Sequence, residues 1–84
     1  MITIYGKANC GFCTKAKDTA SKHGLEWEYK DVGLSAFMEE LLERSEVKPK
    51  SVPQIWVDGT YVGGYNEFVR YLEETGYNGT GWSL

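Results

Sequence analysis

The sequence predicts an α/β fold in which one four-stranded mixed sheet carries helices on both faces. Short β-rich runs alternate with stretches of helical periodicity, and a late pair of β-rich runs is separated only by Asp58-Gly59. A β-α-β unit joins parallel strands through a right-handed crossover, whereas Asp-Gly favours a two-residue antiparallel hairpin. The predicted element order is β-α-β-α-β-β-α.

The first part of the chain predicts a strand, a helix and a second strand. Residues 2–5 are apolar and β-branched, and residues 10–23 have the periodicity of a helix that stops at Gly24. Three small residues fall on one face of this helix: Cys13, Ala16 and Ala20. Residues 26–30 alternate polar and aromatic side chains, which is typical of an edge or half-covered strand.

A second helix is predicted over residues 36–45. Ser35 is its candidate N-cap, because a serine hydroxyl can accept a hydrogen bond from a free backbone N–H. Pro49 ends the pattern, since proline disfavours helix at the residue before it and cannot donate a backbone hydrogen bond. The predicted apolar side consists of Phe37, Leu41 and Leu42.

The last third of the chain predicts a hairpin and a final helix. Residues 54–57 and 60–62 are β-rich runs on either side of the Asp-Gly turn. Asn66 is a candidate N-cap for a helix over residues 67–75, and Gly76 is its stop. The predicted inward residues are Phe68, Val69 and Leu72.

Length and composition limit the classes of protein. The chain has 84 residues, of which 42% are hydrophobic and 25% charged, as expected of one soluble domain. That domain is predicted to cover residues 1–76, with residues 77–84 as a loosely attached tail. No apolar run reaches the roughly 20 residues of a membrane span, and no export signal is recognised. Two cysteines are too few to staple a secreted scaffold, so we expect a reactive pair in the cytoplasm. We also expect a monomer that does not bind membranes.

Charge is distributed unevenly along the chain. Residues 1–25 contain four lysines and one aspartate, a net charge of +3. The remainder contains five basic and eleven acidic residues, a net charge of -6. Nucleic-acid binding is not expected of a chain with so few basic residues and a net charge of -3. The electropositive part suits a thiolate or a small anionic thiol.

Cys10 and Cys13 are the only cysteines, and they stand at the start of the first predicted helix. Free N–H groups and the positive end of the helix dipole favour an ionised thiol at that place. Cys10 is the predicted nucleophile, because it lies at the exposed helix end. Cys13 lies one turn further, on the apolar face, and is the predicted buried partner. We expect the pKa of Cys10 to lie well below the free-thiol value of about 8.5.

Three motifs, in this order along the chain, resemble those of the glutaredoxin family of the thioredoxin fold. They are Cys10-Gly11-Phe12-Cys13, Ser51-Val52-Pro53-Gln54 and Gly63-Gly64-Tyr65-Asn66-Glu67. The resemblance covers residues 1 to about 75. It implies a thioredoxin-like fold and a glutathione-dependent reductase of protein disulfides and glutathionylated proteins. Ribonucleotide reductase is a substrate at the level of the family only.

The resemblance also implies how glutathione binds. Lys7 and a second cation, either Lys48 or Lys50, would meet its glycine carboxylate, and Phe12 would line the groove. The bond between Val52 and Pro53 would be cis and would face the cysteines, with the Val52 backbone free to pair with a peptide.

The glycine-rich motif completes the implied site. Gly64 and Tyr65 would form the turn against which the γ-glutamyl end of glutathione lies. Asn66 and Glu67 would be the ligands of that end, with Glu67 beside the ammonium group. Glycine permits close approach of a ligand to the backbone, and a helix start offers N–H groups to a carboxylate.

Three other functions stay open at this level. A thioredoxin reduced by a flavoenzyme can also have glycine after the first cysteine. Glutaredoxins with a Cys-Gly-Phe-Ser motif bind a [2Fe–2S] cluster between two protomers, and only Cys13 departs from that motif here. A zinc module would have Cys10, Cys13 and His23 as its obvious ligands, one fewer than a closed four-ligand site needs.

Overall fold

The computed structural model of the protein describes residues 1–45 and 51–76. The seven elements are β1 (Ile2–Gly6), α1 (Gly11–Lys22), β2 (Trp27–Asp31), α2 (Ser35–Arg44), β3 (Gln54–Val57), β4 (Thr60–Gly63) and α3 (Tyr65–Thr75). This is the predicted order. The predicted tail and the helix stop at Pro49 lie outside the described residues. None of the helices in the described ranges is long and apolar enough to cross a membrane.

The four strands form one mixed sheet in the order β2-β1-β3-β4. β1 runs parallel to β2, with Ile4 opposite Tyr29, and antiparallel to β3, with Ile4 opposite Ile55. All five residues of β1 are buried, as expected of a central strand covered on both faces. β2 lies at one edge of the sheet, as its alternating pattern predicted, and β4 lies at the other.

Asp58 and Gly59 form the turn between β3 and β4. Both residues have positive φ, 50° and 85°, as a type I′ turn requires. The carboxylate of Asp58 also lies 2.6 Å from the N-terminal ammonium of Met1. The predicted hairpin is therefore confirmed, and its turn lies against the start of the chain.

Helices α1 and α3 cover one face of the sheet, which we call the apolar face. Ala16 and Ala20 of α1 and Phe68 and Leu72 of α3 are buried there. The other buried members of this cluster are Ile2, Ile4, Leu25, Ile55 and Val57. Small alanine side chains let α1 lie close to the sheet, and α1 begins directly after Cys10. The apolar face therefore fixes the position of the cysteine pair.

Helix α2 covers the opposite face, which we call the charged face. Its buried apolar and aromatic residues are Tyr5, Val32, Leu41 and Trp56. Leu41 is the only described residue of α2 that is buried. Of the other two predicted apolar residues, Phe37 is half-buried and Leu42 is 42% exposed. The prediction that Leu42 lies on the apolar side is wrong: Leu42 lies one residue further round the helix than Leu41, and its side chain is exposed.

A hydrogen-bonded network joins α2 to the sheet on the charged face. The Tyr5 hydroxyl donates to the Glu40 carboxylate, which also accepts from the Lys30 ammonium at 2.6 Å. Arg44 donates to the Tyr5 oxygen at 2.9 Å, and its guanidinium lies 4.6 Å from the Trp56 ring centroid. The hydrogen bond between Lys30 and Glu40 lowers the pKa of Glu40 and raises that of Lys30. Burial raises the pKa of Tyr5.

The start of α2 differs from the prediction. Ser35 is its first helical residue, and Leu34 is the N-cap, which makes no side-chain capping hydrogen bond. The chain turns into the helix through Asp31 instead, whose side chain accepts from the Gly33 N–H at 2.8 Å and whose carbonyl accepts from the Leu34 N–H at 3.0 Å. The prediction of a Ser35 cap is wrong because this aspartate turn fixes the helix start one residue earlier.

Candidate active site

Cys10 is the N-cap of α1 and forms a disulfide with Cys13. The backbone N–H of Cys13 donates to the Cys10 sulfur at 3.2 Å, so a free donor of the helix start points at the predicted nucleophile. Cys13 is 1% exposed, whereas Cys10 is half-buried. This difference in exposure is the one that an accessible nucleophile and a shielded partner need.

The loop before β3 lies against this disulfide. The peptide bond between Val52 and Pro53 is cis, as the resemblance implied. The Val52 carbonyl oxygen lies 3.8 Å from the Cys10 sulfur, and Pro53 is buried. Gln54 holds the loop in place: its amide donates to the Ser51 carbonyl at 2.8 Å and accepts from the Tyr61 hydroxyl at 2.6 Å.

An aromatic wall, formed by Phe12 and Tyr65, connects the starts of α1 and α3. The two ring centroids are 5.9 Å apart and the planes are tilted by 32°. Phe12 is 53% exposed, although it is a large apolar side chain next to both cysteines. The ammonium of Lys15 lies 5.1 Å from the Phe12 ring centroid. The wall is therefore an accessible apolar surface with a cation at its edge.

The start of α3 lies on the other side of the Pro53 loop. Gly64 is the N-cap, and its N–H donates to the Glu67 carboxylate at 2.9 Å. A Cβ atom on Gly64 would lie 3.6 Å from the Pro53 carbonyl oxygen, so the two loops are adjacent. Asn66 is an exposed residue inside the helix. The prediction of an Asn66 cap is wrong, because Glu67 reaches back to the free N–H two residues before Asn66.

Tyr29 and Gly6 lie next to the cysteine pair and the loop before it, although neither was predicted as a site residue. The Tyr29 hydroxyl donates to the Lys7 carbonyl at 3.1 Å, in the loop that leads to Cys10. A Cβ atom on Gly6 would lie 2.8 Å from the Tyr29 ring and 2.9 Å from the Cys13 sulfur. Burial, and then the charge of Asp31, raises the pKa of Tyr29, so its hydroxyl keeps the proton that it donates.

The remaining predicted residues fall in different places. Lys7 is exposed in the loop between β1 and α1. Lys48 and Lys50 lie outside the described residues. His23 is the C-cap of α1, at the end opposite Cys10, with its ring Nδ1 2.9 Å from the Thr19 carbonyl oxygen. Within residues 1–45 and 51–76, no three His, Cys, Asp or Glu side chains are grouped so that they could hold a metal ion.

Two facts about sequence relatives decide the family. The model of the family described as glutaredoxin matches residues 2–62. The chain is also 34% identical to glutaredoxin 1 of Escherichia coli K12 over 77 residues, which cover 84% of this chain and 91% of that protein. The chain belongs to the glutaredoxin family. Because it has the cysteine pair, this glutaredoxin-family protein is a thiol–disulfide oxidoreductase.

Solved structures of glutaredoxins have the same fold. The structure of reduced E. coli glutaredoxin superposes with a TM-score of 0.73 at 33% identity, covering 87% of this chain and 93% of that one. A buckwheat glutaredoxin–glutathione complex superposes with a TM-score of 0.70, covering 87% of this chain and 68% of that one. At 18% identity, the buckwheat likeness shows the fold alone. The thioredoxin-like fold predicted from the three motifs is confirmed.

Proposed function

We propose that this protein reduces protein disulfides and protein–glutathione mixed disulfides, with glutathione as its reductant. The observation that carries the proposal is the position of the Cys10 sulfur. It accepts the Cys13 N–H at the start of α1, lies 3.8 Å from the Val52 carbonyl oxygen and is bonded to a buried sulfur. The buckwheat glutaredoxin, which has the same fold, was solved as a complex with glutathione.

The monothiol route begins with the Cys10 thiolate. It attacks the glutathione sulfur of a glutathionylated protein, forms a bond between Cys10 and glutathione, and releases the protein thiolate, which takes a proton from water. A second glutathione, as its thiolate, attacks the mixed disulfide at the glutathione sulfur. Oxidised glutathione leaves, and Cys10 returns as a thiolate. In total, one protein–glutathione disulfide and one glutathione thiol become one protein thiol and one glutathione disulfide.

The dithiol route uses both cysteines. The Cys10 thiolate attacks a protein disulfide and releases one protein thiolate. Cys13, once deprotonated, then attacks the Cys10 sulfur, releases the second protein thiolate and leaves the disulfide between Cys10 and Cys13. Two glutathione molecules reduce that disulfide in turn. The burial of Cys13 supports these separate roles of the two cysteines, because a shielded sulfur can reach the Cys10 sulfur more readily than it can reach the disulfide of another protein.

Glutathione binds, in this proposal, along the surface from Lys7 to the start of α3. Its glycine carboxylate meets Lys7 together with Lys48 or Lys50, and its cysteine sulfur lies at Cys10 beside the Val52 backbone. Its γ-glutamyl carboxylate meets the N–H groups at the start of α3, where anions are favoured. Its ammonium meets Glu67, whose second oxygen is not used by the Gly64 N–H. Tyr65 and Phe12 line the groove.

Mass spectrometry on two serine variants tests the proposal, and each variant is the control for the other. Cys13→Ser is expected to form an adduct of one glutathione at Cys10 with oxidised glutathione and to turn over a glutathionylated peptide. Cys10→Ser is expected to lose turnover. The proposal fails if Cys10→Ser stays active, or if the wild-type protein is reduced by a flavoenzyme and not by glutathione. The second outcome would support the thioredoxin alternative.

A further inference from the structure

The lysines of α1 differ from the lysine of β2 in their contacts. Lys30 of β2 lies 2.6 Å from the Glu40 carboxylate and 3.8 Å from that of Glu28. Lys15, Lys17 and Lys22 form no ion pair with any of the residues that the structure describes. None of these three ammonium groups has a carboxylate of the described residues within 4.0 Å.

Two of these lysines nevertheless lie over aromatic rings. The Lys15 ammonium lies 5.1 Å from the centroid of the exposed Phe12 ring. The Lys17 ammonium lies 4.3 Å from the centroid of Tyr29, the residue that holds the Lys7 carbonyl. An aromatic face attracts a cation but carries no net charge. Each ammonium group thus has an aromatic neighbour but no ion-pair partner among the described residues.

We infer that protein substrates of this site carry carboxylates close to the target cysteine, and that Lys15 and Lys17 bind them. This inference rests on the proposed function, because it names the class of protein substrate. The chain as a whole has a net charge of -3, so attraction of an acidic segment is local to the +3 region that contains both cysteines. A carboxylate can bind there without displacing an internal ion pair.

Helix geometry gives the spacing. Lys15 follows Cys10 by five positions, about 7.5 Å along a helix that rises 1.5 Å per residue. An extended peptide advances about 3.3 Å per residue. A segment that lies along the site in extended form therefore reaches Lys15 with a side chain two or three positions from its cysteine.

Matched peptides test the inference. Each has one glutathionylated cysteine, with glutamates at the second and third positions on both sides in one peptide and glutamines there in the other. The measured quantity is the ratio of kcat/KM for the glutamate peptide to that for the glutamine peptide, determined separately for each protein variant. Any effect of a substitution on the chemistry itself cancels in this ratio.

The wild-type ratio is expected to be on the order of five to ten at low ionic strength, since steering by local charge raises association rates by tenfold or more. It should approach one in about 1 M salt, where the screening length is roughly 3 Å. Lys15→Gln and Lys17→Gln should each lower the ratio by about half or more, as expected for the loss of one nearby charge. Lys22→Gln is the control, because it removes the same charge from the far end of α1.

Three results would count against the inference or its basis. A wild-type ratio near one, with both peptides turned over, overturns the inference and leaves the proposed function intact. The inference is also overturned if Lys22→Gln lowers the kcat/KM ratio as much as Lys15→Gln does, because net charge alone would then explain the selectivity. Turnover of neither peptide contradicts the proposed function, and the inference falls with it.

Discussion

On the apolar face, nine of the described residues are buried and pack against one another without a charged group. On the charged face four are buried, and one of them, Tyr5, belongs to a hydrogen-bonded network with glutamate, lysine and arginine side chains. Cys13 is buried on the same side of α1 as Ala16 and Ala20 of the apolar face, so the position of its sulfur depends on how closely those side chains fit. Of the predicted site residues that the structure describes, only Val52 packs against the buried residues of the charged face. The apolar face therefore positions the site, and the charged face holds α2 against the sheet.

The largest expected effect compares one buried helix residue from each face. Phe68→Ala should lower the free energy of unfolding by about 3–5 kcal/mol, because it leaves a large cavity in the apolar cluster. Leu41→Ala, on the charged face, should cost about 2–5 kcal/mol and less than Phe68→Ala. Chemical denaturation of both variants gives the two values. An equal or larger loss with Leu41→Ala would show that the smaller cluster contributes as much as the larger one.

A smaller but more specific effect is expected at Gly6. Gly6→Ala forces a Cβ atom against Tyr29 and the Cys13 sulfur, which should destabilise the protein by about 1–3 kcal/mol. Displacement of the sulfur should also lower turnover by roughly 10–100-fold, as a misplacement of about 1 Å can. Gly11→Ala is the matched control, because nothing lies within 4 Å of its added Cβ. Equal turnover of the two variants would show that Gly6 does not position Cys13.

Two tyrosine hydroxyls provide the next comparison. Tyr5→Phe removes hydrogen bonds to two charged residues on the charged face, which should cost about 1.5–3 kcal/mol of stability. Tyr29→Phe removes one hydrogen bond to the Lys7 carbonyl and should cost about 0.5–1.5 kcal/mol. Turnover should fall only in Tyr29→Phe, because only that hydroxyl holds the loop before Cys10. A loss of turnover in Tyr5→Phe of the same size would contradict the division between faces.

The smallest expected effect is a pH dependence that belongs to the charged face. Because the pKa of Glu40 is lowered in the folded protein, the unfolded chain takes up this proton first as pH falls. The stabilisation of the folded protein by ionised Glu40 is complete above the unfolded glutamate pKa of about 4.3 and is lost as pH falls below that value. Denaturation midpoints between pH 3 and 7 should therefore decrease less steeply in Glu40→Gln than in wild type. Glu39→Gln, which removes the same charge from an exposed neighbour, should follow the wild-type curve.

Elements with local signals could be predicted from the sequence. Asp58 and Gly59 determine a hairpin turn by their own φ preferences, and Gly76 ends α3 with a φ of 63°. The buried face of α1 follows from the spacing of its small residues. Each of these signals lies within a few residues of the structure that it determines, so no knowledge of the tertiary fold is needed.

Features that depend on distant contacts could not be predicted. The bond from Tyr5 to Glu40 joins residues 35 positions apart, and Gly6 must be small because of Tyr29 and Cys13 together. Both predicted N-caps were also wrong, since Ser35 lies inside α2 and Asn66 lies inside α3. The glutamate three residues after Gly64 was the available signal at α3, as in a capping box.

The hydrogen bond between Glu67 and the Gly64 N–H has a further consequence. A free glutamate side chain samples many rotamers, and ordering it costs up to about 1.5–2 kcal/mol. In this protein one carboxylate oxygen is already fixed by the backbone, so the loss of rotamer entropy occurs during folding. A cation that binds the other oxygen of Glu67 therefore meets a side chain that is already ordered, and its affinity is not reduced by the entropy cost of ordering that side chain.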